Sequence, residues 1–265
     1  MAQQWRIRIG GVRGSSTITG EAMQRYGGNT LSVQLLAGEE LIYLDAGTGL
    51  LPFPDGCRHA SVLIGHIHFD HICGLGVWSA LMDAAHSIDF FLTPRGGLSA
   101  REQLEKLYSP PLWPVRLSEL QAKVRFFDIE NDFSIGDLNI SLLEGEHPGG
   151  VSHFRISDDR RSLVYAVDEE LTETSYAALR DFARGSDLLL CDGQYTAEEL
   201  PRCTGWGHSS MADMARLGAE AGVGQTLLLH YAPGRTDDEL DRLAKELQHS
   251  YPACRPAREG EEIKL

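Results

Sequence analysis

One segment of six residues constrains this chain more than any other feature. It contains three imidazoles and one carboxylate, in the order His66-Ile67-His68-Phe69-Asp70-His71. The segment directly follows the apolar run 60–64, and a short apolar run that ends at Gly65 is typical of a buried strand followed by a loop. Side chains at the end of a strand are held on a rigid element while their tips remain free, as a metal site requires. The segment therefore predicts a metal site.

The residue types in this segment indicate which metals it would bind. Neutral imidazole nitrogen and carboxylate oxygen suit zinc, and they also suit manganese or iron. The residues form two groupings, His66 with His68 and Asp70 with His71. Since one small ion could not easily take all four side chains, the spacing predicts two neighbouring divalent ions. Zn²⁺ is the expected metal and Mn²⁺ the alternative.

The overall composition excludes several classes of protein. The chain has 265 residues and 42% hydrophobic content, so it can form a sizeable core and the disordered class is excluded. Its 24 basic and 38 acidic residues give a formal net charge of -14, which argues against a broad binding surface for duplex DNA or long RNA. Bound divalent cations would supply local positive charge, so a small anionic substrate is compatible with this composition.

Cysteine usage and hydropathy predict the cellular compartment. The five cysteines are widely spread and form no CxxC pair, so neither a zinc ribbon nor a dithiol redox site is indicated. The first residues, from Met1 to Arg6, lack the apolar core of a signal peptide, and no apolar stretch approaches the length of a membrane span. We therefore expect a cytoplasmic protein with reduced thiols and no membrane contact.

The order of predicted elements indicates the fold class. No long linker, low-complexity tract or repeat is present, so one domain over residues 1–265 is the simplest organisation. Strands are predicted at Trp5–Val12, Leu31–Leu36, Leu41–Leu44, Ser61–Ile64, Ile88–Leu92, Val124–Phe127, Phe133–Ile135, Leu138–Leu143, Ser152–Ile156, Ser162–Val167, Leu188–Leu190 and Thr226–Leu229. Helices are predicted at His71–Met82, Leu98–Tyr108 and Thr172–Ala183, after an N-cap at Ser209, and after an N-cap at Thr236. Two packed sheets flanked by helices, an α/β sandwich, would use that order.

Three further residues of metal-ligand type each follow a predicted strand. They are His147, Asp168 and His230. A polar group buried at the end of an apolar strand is costly unless it has a partner, so the repetition of this pattern predicts additional metal ligands. Asp168 is the natural bridge between two ions, because its two oxygens can bind one ion each.

On these residues, the chain resembles the metallo-β-lactamase fold superfamily. The HxHxDH motif at residues 66–71 matches completely, and Asp45 matches the early Asp-x-Gly motif of the family. The remaining motif residues follow in the expected order, so the resemblance runs from about Trp5 to His249. It implies a four-layer αβ/βα sandwich with the metal site at one edge of the two sheets.

The resemblance also implies a role for each residue. One ion would be held by three histidines, His66, His68 and His147. The other ion would be held by a carboxylate and two histidines, Asp70, His71 and His230. Asp168 would bridge the two ions together with a water or hydroxide that is poised for attack. Asp45 would support the ligands without binding metal itself.

Two details resemble the phosphodiesterase branch of this superfamily, which includes ribonuclease Z and small cyclic-phosphate hydrolases. A carboxylate ligand at Asp168 differs from the true β-lactamases, which use cysteine at the corresponding position. The segment Gly207-His208-Ser209-Ser210 resembles the His-Ser motif of ribonuclease Z, in which the histidine faces the scissile phosphate. The resemblance implies Asp70 and His208 as catalytic residues, with His208 protonating a leaving alkoxide. A hydrogen bond that stabilises the entry of the next helix is the alternative for His208.

The glycine-rich segment 11–16 resembles a subgroup of small bacterial hydrolases of this superfamily. Its backbone amides are expected to meet phosphate oxygens, with Arg13 adding positive charge. A plain tight turn is the alternative for such a loop.

The expected substrate is a small, cyclic phosphodiester. Ribonuclease Z that processes tRNA carries a long basic arm, in many members between the motifs that match Asp168 and His208. That interval contains no lysine here and is already filled by predicted elements, which makes tRNA an unlikely substrate. The alternatives are a thioesterase or lactonase that uses the same ions, and a non-catalytic metal-binding accessory protein. The aromatic segment Trp78 to Pro114 is expected to cover the site or to form the contact of a homodimer.

Overall fold

The computed structural model describes residues 4–265. Met1, Ala2 and Gln3, the start of the predicted N-terminal segment, lie outside the described residues. The strands are β1 (Arg6–Gly11), β2 (Ser32–Ala37), β3 (Glu40–Leu44), β4 (His59–Leu63), β5 (Ser87–Leu92), β6 (Lys123–Asp128), β7 (Phe133–Ile135), β8 (Leu138–Gly145), β9 (Val151–Ser157), β10 (Ser162–Ala166), β11 (Leu188–Asp192), β12 (Gln225–Leu229), β13 (Cys254–Pro256) and β14 (Glu262–Lys264). The α-helices are α1 (Phe69–Ile72), α2 (Ala100–Glu105), α3 (Glu173–Ala183), α4 (Met211–Glu220) and α5 (Asp237–Ser250). Short 3-10 helices occupy Glu21–Met23, Leu75–Val77, Ser79–Met82, Leu117–Glu119 and Leu200–Arg202. None of the helices between residues 4 and 265 combines the length and the apolar character that crossing a membrane requires.

Two sheets form the centre of the molecule. Within residues 4–265 each has seven strands, in the orders β14-β1-β2-β3-β4-β5-β6 and β13-β12-β11-β10-β9-β8-β7. Apolar side chains from both sheets share one core, in which Ile9, Val33, Phe154 and Leu163 have no exposed surface. Helix α2 packs against β5 and β6 of the first sheet, whereas α3, α4 and α5 pack against the second. The layers are therefore helix, sheet, sheet and helix, which confirms the predicted αβ/βα sandwich.

Parallel pairing places the ends of several strands at one edge of this sandwich. Strands β10, β11 and β12 run parallel to one another, and β3 runs parallel to β4. Strand β11 is buried along its whole length, as its unbroken apolar run predicts for a strand that is covered on both faces. Because parallel strands end at the same edge of a sheet, the residues that follow them lie close together. This edge carries the candidate site.

The predicted strands are present, with boundaries that differ by a few residues. Two further strands, β13 and β14, were missed because each has three residues and no alternation long enough to recognise. They form by pairing with a neighbour: β13 lies parallel to β12, and β14 lies antiparallel to β1. Strand β11 also continues two residues beyond the predicted end, to Asp192.

Two of the helix predictions are corrected by the structure. The predicted helix His71–Met82 is wrong: α1 ends at Ile72 and is followed by two separate 3-10 helices. The chain at Gly74 approaches another loop so closely that a Cβ there would lie 2.0 Å from the carbonyl oxygen of Gly47, and this packing overrides the helical pattern. The N-cap of α4 is Ser210, whose side chain accepts from the amide of Asp213, and not Ser209. Thr236 caps α5 as predicted.

Candidate metal centre

The predicted site residues meet at one edge of the two sheets. They are Asp45 after β3, His66 and His68 after β4, Asp70 and His71 in α1, His147 after β8, Asp168 after β10, His208 before α4 and His230 after β12. Asp45, Asp168 and His230 share a left-handed backbone conformation, with φ of 56°, 59° and 59°. Residues other than glycine rarely adopt this conformation, which costs about 1–3 kcal/mol each and occurs most often at functional sites. Three such residues in one small region mark it as a site that the fold maintains at a cost.

The first grouping contains three histidines and a carboxylate. Potential ligand atoms of His66, His68, His147 and Asp168 all lie within 4.8 Å of one another. His66 Nε2 is 3.2 Å from Asp168 Oδ2, and His147 Nε2 is 3.0 Å from His68 Nδ1. The orientation of the His147 ring is fixed by a hydrogen bond from its Nδ1 to the carbonyl oxygen of Gly207, at 2.8 Å. Its Nε2 is thereby directed into the grouping.

The second grouping contains Asp70, His71 and His230, whose potential ligand atoms also lie within 4.8 Å of one another. His230 Nε2 is 3.1 Å from Asp70 Oδ2. The carboxylate of Asp168 lies between the two groupings: its Oδ1 is 3.0 Å from His230 Nε2, and its Oδ2 is 2.9 Å from His71 Nε2. This is the position that a bridging ligand requires. The structure thus brings together all seven side chains predicted to bind metal, and their binding of metal stays a prediction.

The carboxylate of Asp45 accepts three hydrogen bonds from other residues of the protein. Its Oδ2 accepts from Nδ1 of His71 at 2.7 Å and from the hydroxyl of Tyr165 at 2.6 Å, while its Oδ1 accepts from the amide of Gly65 at 3.0 Å. These contacts hold the ring of His71 with Nε2 towards Asp168. The geometry is that of a supporting residue, as the sequence implies for Asp45.

The hydrogen bonding of the site is incomplete in a way that fits metal ions. Among residues 4–265, the buried atoms His66 Nε2, His71 Nε2 and Asp168 Oδ1 form no hydrogen bond of good geometry, although each lies within 3.2 Å of an ionisable neighbour. Buried polar atoms almost always form a hydrogen bond, so a cluster of unsatisfied atoms calls for an explanation. Imidazole nitrogen and carboxylate oxygen are the donor atoms that zinc prefers. The residues present therefore fit divalent cations.

The buried carboxylates of the site control the protonation of the histidines beside them. Burial acts to raise the pKa of Asp168, but His230 and His71 outweigh it and hold that pKa well below its usual range. Burial acts to lower the pKa of His230, but Asp168 and Asp70 raise it to about 10. The pKa of His71 is raised for the same reason, against its burial and by Asp168 and Asp45. Without metal, the anionic carboxylates therefore retain protons on their neighbouring imidazoles.

Asp192 is a residue of the site that sequence reasoning missed. Its Oδ2 accepts from Nδ1 of His208 at 2.8 Å, and both side chains are buried. A carboxylate at the end of a buried strand, the pattern that indicates Asp168, would also indicate Asp192. It was overlooked because the strand was predicted to end at Leu190.

The expected phosphate-binding role of Arg13 is wrong. Its guanidinium is fully buried, and it donates to the carbonyl oxygens of Arg235 at 2.6 Å and Gly27 at 2.8 Å. The adjacent loop supports the metal centre instead, because the amide of Ser15 donates to Asp70 Oδ2 at 2.7 Å. Gly14 packs against His230 so closely that a Cβ would lie 2.3 Å from Nδ1 of that histidine. The loop is therefore part of the scaffold of the site.

Comparison with known proteins identifies the family. Residues 42–231 match the model of the β-lactamase superfamily domain. The chain belongs to the metallo-β-lactamase superfamily. Over 220 residues it is 24% identical to the probable metallo-hydrolase YhfI of Bacillus subtilis (strain 168), a match that covers 79% of this chain and 82% of YhfI. The crystal structure of YhfI has the same fold, with a TM-score of 0.75, 21% identity and 99% coverage of both chains.

More distant similarities are found within the same superfamily. The chain is 33% identical to ribonuclease Z of Brevibacillus brevis (strain 47 / JCM 6285 / NBRC 100599) over 101 residues, which is 37% of this chain but 30% of that enzyme. A diphosphatase of the PhnP family shares the fold, with a TM-score of 0.68, 14% identity and coverage of 100% of this chain and 98% of that one. Together with the cluster of histidines and aspartates, the family makes this chain a metallo-hydrolase of the superfamily.

We expect zinc binding to release protons. Imidazole must be neutral to bind a metal, whereas the raised pKa of His71 and of His230 keeps both protonated at neutral pH in the metal-free site. The apparent affinity should therefore increase as pH rises towards the pKa of His230. Calorimetric titration of metal-free protein with Zn²⁺ in two buffers of different ionisation enthalpy measures the protons released. Heats that are independent of the buffer would contradict this expectation.

Asp45→Asn should lower the affinity for zinc by about 10–100-fold, because an amide at this position faces three donors and no longer fixes His71. Competition for Zn²⁺ with a chromophoric chelator measures the change. The control is Asp55→Asn, which alters an exposed carboxylate of the same charge in a neighbouring loop. Equal affinities for the two variants would show that Asp45 does not support the metal ligands.

Proposed function

We propose that the protein is a metal-dependent phosphodiesterase that hydrolyses a small, cyclic phosphodiester. The observation that carries this proposal is the position of His208 beside the predicted metal ligands. Its ring stacks on His230 with 4.9 Å between the ring centroids, and its Nδ1 is 3.7 Å from Asp168 Oδ1. A histidine at this distance would lie close to a substrate bound to metal ions at Asp168.

Asp192 prepares His208 for proton transfer. Since the Asp192 carboxylate accepts from Nδ1–H at 2.8 Å, the tautomer and the orientation of the ring are fixed, and Nε2 is left to hold or deliver a proton. The ring of Tyr195 lies nearly perpendicular to the ring of His208, with 5.7 Å between the centroids. Divalent ions bound at Asp168 would supply a nucleophilic water at neutral pH and stabilise negative charge on the substrate. His208 would then act at the opposite end of the reaction, on the leaving group.

The need for a proton donor favours an oxygen leaving group. The alkoxide that leaves a cyclic phosphodiester is strongly basic, so a proton delivered by His208 lowers the barrier to its departure. A thiolate leaves without such help, which argues against a thioesterase. The similarity to a ribonuclease and to a diphosphatase supports phosphate-ester chemistry over lactone hydrolysis.

A cavity beside the metal centre supports a small substrate. It has a volume of about 250 Å³ and is lined by His66, His68, Arg95, Gln103 and Lys106, together with apolar and glycine residues. Typical pockets for drug-sized ligands start at about 300 Å³, so the cavity suits a small group. The guanidinium of Arg95 is anchored by Ser152 and Glu144, each at 2.8 Å from Nη2. Because Glu144 offsets the charge of Arg95, Lys106 is the cationic side chain of the lining that suits an anionic substrate.

We expect metal-free protein reconstituted with Zn²⁺ or Mn²⁺ to hydrolyse bis(p-nitrophenyl) phosphate, and Asp168→Ala to abolish this activity because both groupings lose their shared carboxylate. Release of p-nitrophenol, followed by absorbance, measures the rate. A p-nitrophenyl thioester and a lactone are the parallel substrates. Hydrolysis of the thioester or the lactone alone by protein that contains metal would overturn the phosphodiesterase proposal.

His208→Ala should reduce turnover of 2′,3′-cyclic AMP by about 10²–10⁴-fold while the metal content is unchanged. The loss on bis(p-nitrophenyl) phosphate should be smaller, because p-nitrophenolate is a weakly basic leaving group. Steady-state rates and metal analysis of the same samples test both statements, with the exposed His249→Ala as the matched control. Losses of equal size on the two substrates would exclude His208 as the proton donor.

A further inference from the structure

The loop before His208 is held by a carboxylate that is distant in sequence. Glu170 lies just after Asp168, and both of its side-chain oxygens accept from backbone amides of this loop. The amide of Gly205 donates to Oε1 and the amide of Gly207 donates to Oε2, each at 2.8 Å. The amide of Glu170 itself donates to the carbonyl oxygen of Glu146 at 2.9 Å. Glu170 is thus fixed at the backbone and uses its whole carboxylate to hold one loop.

The same loop orients two residues of the site. The carbonyl oxygen of Gly207 accepts from Nδ1 of His147 at 2.8 Å, and the next residue is His208. Gly207 has a φ of 83°, and a Cβ at this position would lie 2.0 Å from His147 Nδ1. The loop therefore packs directly on His147, and a shift of Gly207 moves the residue predicted to deliver the proton.

The chain is also tied on the other side of His208. The Ser209 hydroxyl donates to the carbonyl oxygen of Glu169 and accepts from the amide of Leu171 at 3.0 Å. This use of its side chain explains why Ser209 does not cap α4. The segment that carries Asp168 thus holds the chain before and after His208. Glu169 and Leu171 hold the chain through backbone atoms, whereas Glu170 holds it through its side chain. A substitution of Glu170 can therefore remove this contact without changing a predicted metal ligand.

We propose that Glu170 is a positioning residue, whose two-oxygen contact with Gly205 and Gly207 sets the place of His208 relative to Asp168. This inference rests on the proposed function insofar as it concerns catalysis. Two adjacent N–H donors require two acceptors in a fixed geometry, which one carboxylate supplies. A glutamine offers one oxygen and turns its NH₂ group towards the second amide, so that two donors face each other. Glu170→Gln therefore alters the loop with almost no change in volume.

The variant should show a pattern that general destabilisation would not produce. In protein saturated with Zn²⁺, so that an effect on His147 does not empty the site, we expect Glu170→Gln to lower kcat for 2′,3′-cyclic AMP by about 10–100-fold with KM unchanged. The loss on bis(p-nitrophenyl) phosphate should be smaller, because that substrate depends less on the proton donor. In a His208→Ala background the Glu170→Gln substitution should have little further effect, since Glu170 acts through His208. Glu173→Gln, an exposed carboxylate three residues along the chain, is the matched control.

A spectroscopic measurement tests the placement separately from the activity. In protein with ¹⁵N-labelled histidine, Glu170→Gln should shift the ring resonances of His208, and Glu173→Gln should leave them unchanged. Shifted resonances in a protein that cleaves no phosphodiester would support the positioning role while overturning the proposed reaction. Unchanged resonances, equal losses on both substrates, or a loss that persists fully in the His208→Ala background would overturn the role of Glu170.

Discussion

The carboxylate of Asp168 is buried at the edge of the two sheets, and the arrangement of the site depends on it. Removal of a charge from water costs on the order of several kcal/mol, which the protein must offset with partners of opposite charge. The Nε2 atoms of His66, His71 and His230 lie 3.2, 2.9 and 3.0 Å from its oxygens. These imidazoles are also buried, and several of their nitrogens lack hydrogen bonds in the described part of the chain. Divalent cations held by these side chains would satisfy the carboxylate and the imidazoles together.

The sandwich makes this concentration of charge feasible. Strands of both sheets end at the same edge, so residues from seven separated parts of the sequence meet there: 45, 66–71, 147, 168, 192, 208 and 230. Supporting contacts then fix the individual rings: Asp45 holds His71, the Gly207 carbonyl holds His147, and Asp192 holds His208. In these three histidines the contact at Nδ1 fixes the ring, so the direction of Nε2 is determined before a metal ion or a substrate arrives.

The sequence predicts what depends on local pattern or on family motifs. The α/β class, most strands and the seven predicted metal ligands follow from apolar runs and from the ligand types at their ends, whereas Asp45 and His208 follow from family motifs. Contacts between residues that are distant in the sequence were not predicted from these patterns. The pairing of Asp192 with His208 spans 16 residues, and that of Glu170 with Gly205 spans 35. Arg13 was misassigned for a related reason: its charge suggests a ligand, but carbonyl oxygens of distant loops bind it in the interior. Likewise, packing of Gly74 against Gly47 replaced a predicted helix by short turns.

Anomalous diffraction tests whether this cluster holds two metal ions that share Asp168. Crystals of zinc-loaded protein, measured on both sides of the zinc absorption edge, locate each ion without reference to activity. We expect two peaks per chain, one among the side chains of His66, His68 and His147 and the other among those of Asp70, His71 and His230, with Asp168 between them. A single peak, or peaks away from Asp168 in crystals that contain zinc, would contradict this arrangement.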